Sequence, residues 1–319
     1  MRYIDFHCDT LLNSYFQHKD SLENMENSMI SLEKLQKGEC SAQFFAIYML
    51  PDTEKKHDDD SFISLLRQVL INTTIKYPDI LAFANSYSEY TENLKQGKVS
   101  AFLTLEDGRA VDGSIEKLES FYSMGLRLIS LTWNFANCFG FPNSTDSKKM
   151  QLGLTDFGKD AVRRMNELGM LVDVSHLSDG GFWDIMSISK SPVIASHSNC
   201  RSLSPHPRNM TDEMIKALAD RGGVAGLNFC PAFLNSDINC EISTAELIAK
   251  HAKYMANCGG IGCVAIGTDF DGIRGTLEVG SPDTMYLLWD ELKKQGFSER
   301  DIELIAYKNA ERVIKDVLK

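Results

Sequence analysis

The sequence predicts a (β/α)8 barrel, and three observations lead to that prediction. Eight short apolar runs rich in β-branched residues recur along the chain, and segments with helical spacing of apolar residues separate them. Several runs are apolar almost throughout, which is typical of strands buried on both faces of a parallel sheet. The length of 319 residues suits one large barrel. An open, doubly wound sheet is the second choice.

The predicted strands follow one another at intervals that leave room for a helix between them. In order they are YIDF (3–6), AQFFAIYM (42–49), VSAFLTL (99–105), LRLISLT (126–132), MLVDV (170–174), PVIAS (192–196), GVAGLNF (223–229) and CVAIGT (263–268). We expect them to form the barrel wall of a single domain that spans residues 1–319.

Helix boundaries are indicated by capping residues between several of these strands. Four such helices are predicted: from Thr155 to Gly169, from Thr211 to the pair Gly222 and Gly223, after a capping box of Ser243 and Glu246, and from Ser281-Pro282 to Gly296. Each carries apolar residues at helical spacing, so each is expected to pack one face against the barrel.

Composition and charge exclude several classes of protein. With 43% hydrophobic and 24% charged residues the chain is not disordered, and its net charge of −11 argues against nucleic acid or an anionic membrane as a partner. The eight cysteines form no CxxC pair, which favours free thiols in a reducing compartment. No segment has the apolar length of a membrane span or of a signal sequence. We therefore expect a cytoplasmic protein.

Metal-ligand residue types follow four of the predicted strands, at the end where a barrel carries its active site. They are His7 and Asp9 after the first strand, Glu106 after the third, His176 after the fifth and His197 after the sixth. Such a set of imidazoles and carboxylates suits Zn²⁺ and, less exclusively, Mn²⁺ or Co²⁺. A carboxylate has two oxygens and can bridge two ions. Taken alone, each match is weak, and an ordinary polar role explains it at least as well.

Further candidates lie near the same ends. Asp269 follows the eighth strand, where it is a second carboxylate or a helix cap. His206 lies between two prolines and is expected to line the site without binding metal, while His18 and His251 are expected to be structural.

The chain resembles the renal (membrane) dipeptidase family, peptidase family M19, which consists of binuclear zinc peptidases within the amidohydrolase superfamily. The resemblance covers nearly the whole length. It rests on IDFHCDTL, LEKLQKGECSAQFFAIYM, FLTLEDG, LRLISLTWN, LTDFGKDAVRRMNELGMLVDVSH, SPVIASHSNCRSLSPHPRNM, GGVAGLNF, IGTDFDG and KNAERVIKDVL. Mammalian members are secreted and lipid-anchored. Since neither signal is present in this sequence, it is similar to the bacterial branch, and a homodimer is a further expectation from the family.

The resemblance implies a role for each candidate residue. His7 and Asp9 would hold one zinc ion, His176 and His197 the other, and Glu106 would bridge them. A hydroxide shared by the two ions would be the nucleophile.

The resemblance also assigns the two ends of the substrate. Asp269 matches the carboxylate that contacts the free amine of the substrate and handles protons. Arg208 matches the arginine that binds the terminal carboxylate through two hydrogen bonds.

One position departs from the family pattern. Mammalian members carry a histidine after the fourth strand that binds the scissile carbonyl oxygen, whereas this chain has Trp133 in the run Leu131-Thr132-Trp133. The indole can only donate, and Trp133 is expected to form a wall of the pocket. Asn134, the next residue, is a candidate for the missing donor.

The sequence as a whole therefore predicts a zinc-dependent dipeptidase. Two alternatives remain open. A related metal-dependent amidohydrolase would cleave N-acyl amino acids, lactones or cyclic amides, and would not require a free amine. A homologue with weakened catalysis would only bind a ligand, and Trp133 is the one feature in favour of that alternative.

Overall fold

The architecture is known from a computed structural model, which describes residues 1–23, 25–51, 54, 56–237 and 239–319. In chain order its strands are β1 (Tyr3–Cys8), β2 (Cys40–Tyr48), β3 (Leu81–Phe83), β4 (Val99–Glu106), β5 (Leu126–Ser130), β6 (Leu171–Asp173), β7 (Ile194–Ala195), β8 (Val224–Leu227), β9 (Ile242–Ser243), β10 (Val264–Ile266) and β11 (Thr276–Leu277).

The barrel is closed and all of its strand pairs are parallel. Around the wall the order is β1, β2, β4, β5, β6, β7, β8 and β10, and β10 pairs with β1 to complete the circle. All eight predicted strands are present in this wall, so the prediction of a (β/α)8 barrel is confirmed. Strand β3 adds to the edge of β4, and β9 pairs with β11 in a separate two-stranded sheet. The sequence analysis did not predict these three strands.

Helices follow most of the strands and cover the outside of the barrel. They are α1 (Thr10–Phe16), α2 (Leu32–Lys37), α3 (Asp59–Lys76), α4 (Tyr87–Lys95), α5 (Ile115–Ser123), α6 (Ser147–Met150), α7 (Asp156–Leu168), α8 (Asp179–Ile188), α9 (Asp212–Asp220), α10 (Pro231–Leu234), α11 (Ala245–Gly259), α12 (Tyr286–Lys294), α13 (Glu299–Glu303) and α14 (Asn309–Val317). Among the described residues, no helix combines the length and the apolar character that crossing a bilayer requires.

Two of the four predicted helix starts are confirmed. Thr155 and Thr211 accept hydrogen bonds from the first turns of α7 and α9. The predicted capping box of Ser243 and Glu246 is wrong: Thr244 caps α11 through Leu247 N, because Ser243 belongs to β9.

The helix predicted to begin at Ser281-Pro282 also differs from the prediction in its first turn. Pro282–Thr284 forms a 3₁₀ turn, and the α-helix begins only at Tyr286.

The inside of the barrel is filled with apolar side chains at the end where the strands begin. All eight wall strands contribute: Ile4, Phe6, Ala42, Phe44, Phe102, Leu128, Leu171, Ile194, Val224 and Ala265. The same cluster continues into α14 through Val313, Ile314 and Val317. Helix α14 therefore closes this end of the barrel, and the opposite end remains for the polar groups.

His251 in α11 has a structural role, as predicted, because it links that helix to the loop after β7 and to the end of α10. Its ring is fully buried, its Nδ1 accepts from Cys200 N at 3.1 Å, and its Nε2 lies 3.1 Å from Leu234 O. Burial lowers the pKa of His251 to about 4, so the imidazole is neutral in the folded protein at neutral pH.

This pKa predicts that the protein loses stability in mild acid. Between pH 6.5 and pH 4 the unfolded chain binds a proton at His251 that the folded chain does not, so the free energy of unfolding falls as the pH falls, by about 3 kcal/mol from this group. Urea titrations of metal-free protein across this range measure the slope. His251→Asn removes the titration and should give a flatter curve from a lower starting stability, whereas parallel curves would contradict the assignment.

Candidate active site

Six ligand-type side chains converge at the end of the barrel where the strands finish. Each follows or ends a different wall strand except His7 and Asp9, which share β1 and the residue after it. All six are buried: the exposed fractions are 1% for His7, 5% for Asp9, 3% for Glu106, 8% for His176, 1% for His197 and 8% for Asp269. The structure thus brings together the residues that the sequence analysis selected.

Glu106 lies at the centre of this cluster, with one carboxylate oxygen toward each side. Its Oε1 is 2.9 Å from His176 Nε2 and 3.6 Å from His197 Nε2. Its Oε2 is 3.6 Å from His7 Nε2. The Nε2 atoms of His176 and His197 are 3.1 Å apart. This is the arrangement in which one carboxylate can serve two ions.

The carboxylates of Asp9 and Asp269 extend the cluster on the His7 side. His7 Nε2 is 3.4 Å from Asp9 Oδ2 and 3.8 Å from Asp269 Oδ1. Two overlapping groups have their donor atoms within 4.8 Å of one another, one formed by His7, Glu106 and His197 and the other by His7, Asp9 and Asp269.

The donor atoms fit a metal ion because several are buried without a partner. Both ring nitrogens of His7, Asp9 Oδ1 and His176 Nδ1 make no hydrogen bond within the described part of the chain. Buried polar atoms are rarely left unpaired, so such a group points to a ligand. Neutral imidazoles and carboxylates in this number are the donor set that zinc prefers.

Burial and mutual charge shift the pKa values of the cluster in opposite directions. Burial lowers the pKa values of His176 and His197 well below the usual range, so both rings are neutral and able to bind metal. Burial opposes protonation of His7, but Glu106 and Asp9 outweigh it and raise the pKa of His7 to about 10. Burial raises the pKa of Glu106 well above its ordinary value. The metal-free cluster therefore holds protons that a cation would replace.

A chain of hydrogen bonds fixes the orientation of His197. The Ser196 hydroxyl donates to Asp173 Oδ2 at 2.6 Å and lies 2.7 Å from His197 Nδ1. Since that hydroxyl proton is used by Asp173, Nδ1–H donates to Ser196 Oγ, and the lone pair of Nε2 faces the cluster.

The backbone of His7 is held by a hydrogen bond to another buried carboxylate, Asp5. Asp5 Oδ1 accepts from His7 N at 3.3 Å and from Thr268 N at 2.9 Å, although the carboxylate is fully buried. The sequence analysis missed both supporting carboxylates. Their signal was present, since Asp5 and Asp173 are charged residues inside otherwise apolar predicted strands.

The backbone is constrained where the loops leave the barrel. His176 has φ 67°, Asp269 has φ 64° and Asp107, next to Glu106, has φ 75°. Residues other than glycine rarely adopt these φ values, and those that do are concentrated at functional sites. Gly272 is required here, because a Cβ at this position would lie 2.0 Å from Asp9 Oδ2 and 2.7 Å from Asp269 Oδ1.

Arg208 is a buried cation without a matching anion. It is 6% exposed, and its guanidinium donates to Ser198 Oγ at 3.2 Å and to His197 O at 3.1 Å and lies over the Phe233 ring. Its Nε makes no hydrogen bond within the described part of the chain, and Asp269 and Glu106 act on the guanidinium through their charges. Burial lowers the pKa of Arg208. A buried positive charge of this kind is stabilised when an anionic ligand arrives.

A cleft of about 650 Å³ opens over the cluster. Its lining includes Asp9, Glu106, Trp133, Asn134, His176, His206, Arg208 and Asp269. The half-buried Trp133 ring lies 6.3 Å from the His176 ring, so it forms part of the wall, whereas Asn134 is exposed at the same cleft. His206 lines the cleft and its Nδ1 accepts from Arg208 N, which leaves it outside the metal groups.

The sequence matches known proteins along its length. A family model described as membrane dipeptidase (peptidase family M19) matches residues 1–319. An uncharacterised protein of the pqqA 5′ region from Klebsiella pneumoniae is 35% identical over 263 residues, which are 80% of this chain and 94% of that protein. Dipeptidase verJ from Clonostachys rogersoniana is 32% identical over 310 residues, which are 93% of this chain and 79% of that protein.

The fold also matches a solved structure. A crystal structure of a metallopeptidase from Rhodobacter sphaeroides, liganded with a phosphinate mimic of the dipeptide L-Ala-D-Ala, superimposes with a TM-score of 0.88 over 99% of both chains, at 23% identity.

Proposed function

The chain belongs to the membrane dipeptidase family, peptidase family M19, and from this premise we propose that it is a zinc-dependent dipeptidase that acts as a single domain over residues 1–319. The observation that carries the proposal is the buried group of three imidazoles and three carboxylates at the mouth of the barrel, centred on Glu106. A protein that had lost its activity would not be expected to retain this complete set.

We assign two zinc ions to this group. His7 and Asp9 would hold one ion, His176 and His197 the other, and Glu106 would bridge them. The support is the position of Glu106 Oε2 near His7 and of Oε1 near the other two rings. When bound, the ions would polarise the scissile carbonyl group and lower the pKa of a water molecule, so that attack occurs at neutral pH.

The cleft offers a side chain of opposite charge to each end of a dipeptide. The unpaired Arg208 guanidinium would bind the terminal carboxylate, and the Asp269 carboxylate would bind the free amine. A substrate must then carry both charges at a fixed separation, which selects dipeptides over longer chains and over N-acylated compounds.

Asp269 would also move the proton that the leaving amine needs. Burial raises its pKa to about 6, and Asn228 Nδ2 donates to its Oδ2 at 2.8 Å, which leaves Oδ1 toward the cluster. A carboxyl group with a pKa near the working pH exchanges protons readily in both directions.

The first test is zinc content together with cleavage of a small substrate panel. The panel contains L-Ala-L-Ala, L-Ala-D-Ala, an N-acetylated dipeptide and a tripeptide. The proposal predicts about two zinc ions per chain and cleavage of the free dipeptides alone. Cleavage of only the acetylated compound would replace the proposal by a deacylase, and two ions without turnover would favour a ligand-binding homologue.

Replacement of Arg208 is expected to weaken substrate binding more than turnover. Arg208→Ala removes a charged hydrogen bond, which is worth 1–3 kcal/mol, so KM for dipeptides should rise about 5- to 150-fold. Arg208→Lys should recover only part of this loss, because an ammonium group cannot form the paired contact. Steady-state kinetics on L-Ala-L-Ala measure the effect, and equal KM values for Arg208→Ala and the wild type would refute the assignment.

A further inference from the structure

The reaction needs a hydrogen-bond donor at the carbonyl oxygen of the substrate, and the resemblance to the family implies a histidine for this purpose at the position of Trp133. Negative charge develops on that oxygen as the carbonyl carbon becomes tetrahedral, and a fixed donor stabilises it. Trp133 is half-buried, and its ring packs against its aromatic neighbours in the wall of the cleft. A second residue of the same cleft, Tyr48, offers a hydroxyl donor.

Tyr48 is placed beside the cluster by the register of the barrel. It is the last residue of β2, and it pairs directly with Glu106, the last residue of β4. The pairing continues one residue further, where Met49 N donates to Glu106 O at 3.1 Å. Neighbouring strands lie about 4.8 Å apart and paired residues point to the same side, so the Tyr48 side chain runs along that of Glu106 into the cleft.

The Tyr48 hydroxyl is available for a ligand. The half-buried ring is held edge-on against Trp133 at a centroid distance of 4.9 Å and an angle of 83°. The hydroxyl has no hydrogen-bond partner among the described residues, although the ring is fixed. A phenol carries its proton at neutral pH, so this hydroxyl can act as a donor.

We propose that the Tyr48 hydroxyl donates a hydrogen bond to the carbonyl oxygen of the scissile peptide. This hydrogen bond becomes stronger as that oxygen becomes negative. This inference rests on the proposed dipeptidase function. No proton is transferred: the hydroxyl keeps its hydrogen, and the oxygen returns to a carbonyl when the carbon–nitrogen bond breaks. Trp133 then acts as a positioning residue that fixes the Tyr48 ring.

Asn134 is the other donor in this part of the cleft, and the two residues differ in how firmly they are held. Tyr48 ends a barrel strand and is packed against an indole, whereas the Asn134 side chain is exposed on the loop after β5. A donor that is already oriented before the reaction stabilises charge at no cost of reorganisation, so the strand position favours Tyr48.

The test is Tyr48→Phe, which removes the hydroxyl and keeps the ring against Trp133. We expect kcat for L-Ala-L-Ala to fall about 100- to 1000-fold with little change in KM, and zinc content and melting temperature to equal those of the wild type. The affinity for a phosphinate dipeptide, which mimics the tetrahedral state, should fall by a similar factor. Tyr122→Phe is the matched control: this half-buried ring lies against Arg127, away from the cleft, and its loss of a hydroxyl should leave kcat unchanged.

A rescue variant separates a catalytic donor from a packing role. In Tyr48→Phe with Trp133→His, the imidazole can donate to the same oxygen, so part of the lost kcat should return. If Tyr48→Phe has the kcat and phosphinate affinity of the wild type, the inference is wrong. A large loss in Asn134→Ala instead would assign the donor to Asn134. If the wild type cleaves no dipeptide at all, the proposed function falls and this inference with it.

Discussion

Removal of the bound metal is expected to abolish dipeptide hydrolysis and to destabilise the protein. The metal-free cluster brings three carboxylates and three imidazoles together in a buried space, and several of their polar atoms make no hydrogen bond within the described part of the chain. Zinc at a free concentration a thousand times its Kd stabilises the folded state by about 4 kcal/mol. Dialysis against a chelator should therefore eliminate turnover and lower the melting temperature, and zinc should restore both.

The site should be selective for zinc, and its affinity for zinc should depend on pH. Because Glu106 and His7 have raised pKa values, the metal-free cluster carries protons at neutral pH, and zinc must displace them. Zinc affinity is then expected to rise with pH through the neutral range, which titration calorimetry in buffers of different ionisation enthalpy measures. Ca²⁺ and Mg²⁺ prefer oxygen ligands and should not restore activity.

Two histidines offer a matched pair of variants for this test. His176 at φ 67° and His18 at φ 52° both lie in the left-handed region, which asparagine tolerates. His176→Asn should lose zinc and at least about a thousandfold in kcat/KM, since metal assistance is worth several kcal/mol. His18→Asn changes an exposed residue outside the cleft and should lose neither. Full activity in chelated protein, or in His176→Asn, would contradict the metal assignment.

The fold was predictable from the sequence because each wall strand lies in a mainly apolar run. The three strands that the prediction missed are short: β3 has three residues, and β9 and β11 have two each. Strands β9 and β11 lie among polar residues, whereas the equally short β7 lies within the apolar run PVIAS. The cap of α11 was misassigned for the same reason, since Ser243 is used by β9 and only the pairing of β9 with β11 reveals this.

The candidate site was predictable to the extent that its residues follow strand ends. His176 and His197 are polar residues directly after apolar runs, and a parallel barrel brings such positions together. Tyr48 could not be found in this way. It ends an apolar run and looks like part of the core, and its place beside Glu106 follows from a strand register that one sequence does not contain.

Replacement of Asp269 by asparagine is expected to lower kcat by about 100- to 10,000-fold, the range for loss of a general acid or base. The amide keeps the size of the side chain but cannot carry the proton to the leaving amine. KM should also rise, because the free amine of the substrate loses its anionic partner. Zinc content should equal that of the wild type, which mass spectrometry of the native protein measures together with steady-state kinetics on L-Ala-L-Ala.

Asp271 provides a control on the same loop. It also has a positive φ, 70°, but its oxygens accept from Thr10, Ser28 and Met29 N and so hold the loop in place. Asp271→Asn should lower the melting temperature and leave kcat within about tenfold, since a weakened loop is not a lost proton carrier. Loss of one zinc ion in Asp269→Asn would make Asp269 a metal ligand, as its 3.8 Å distance from His7 Nε2 permits, and the proton would then have another carrier. Unchanged kcat with unchanged zinc would exclude both roles.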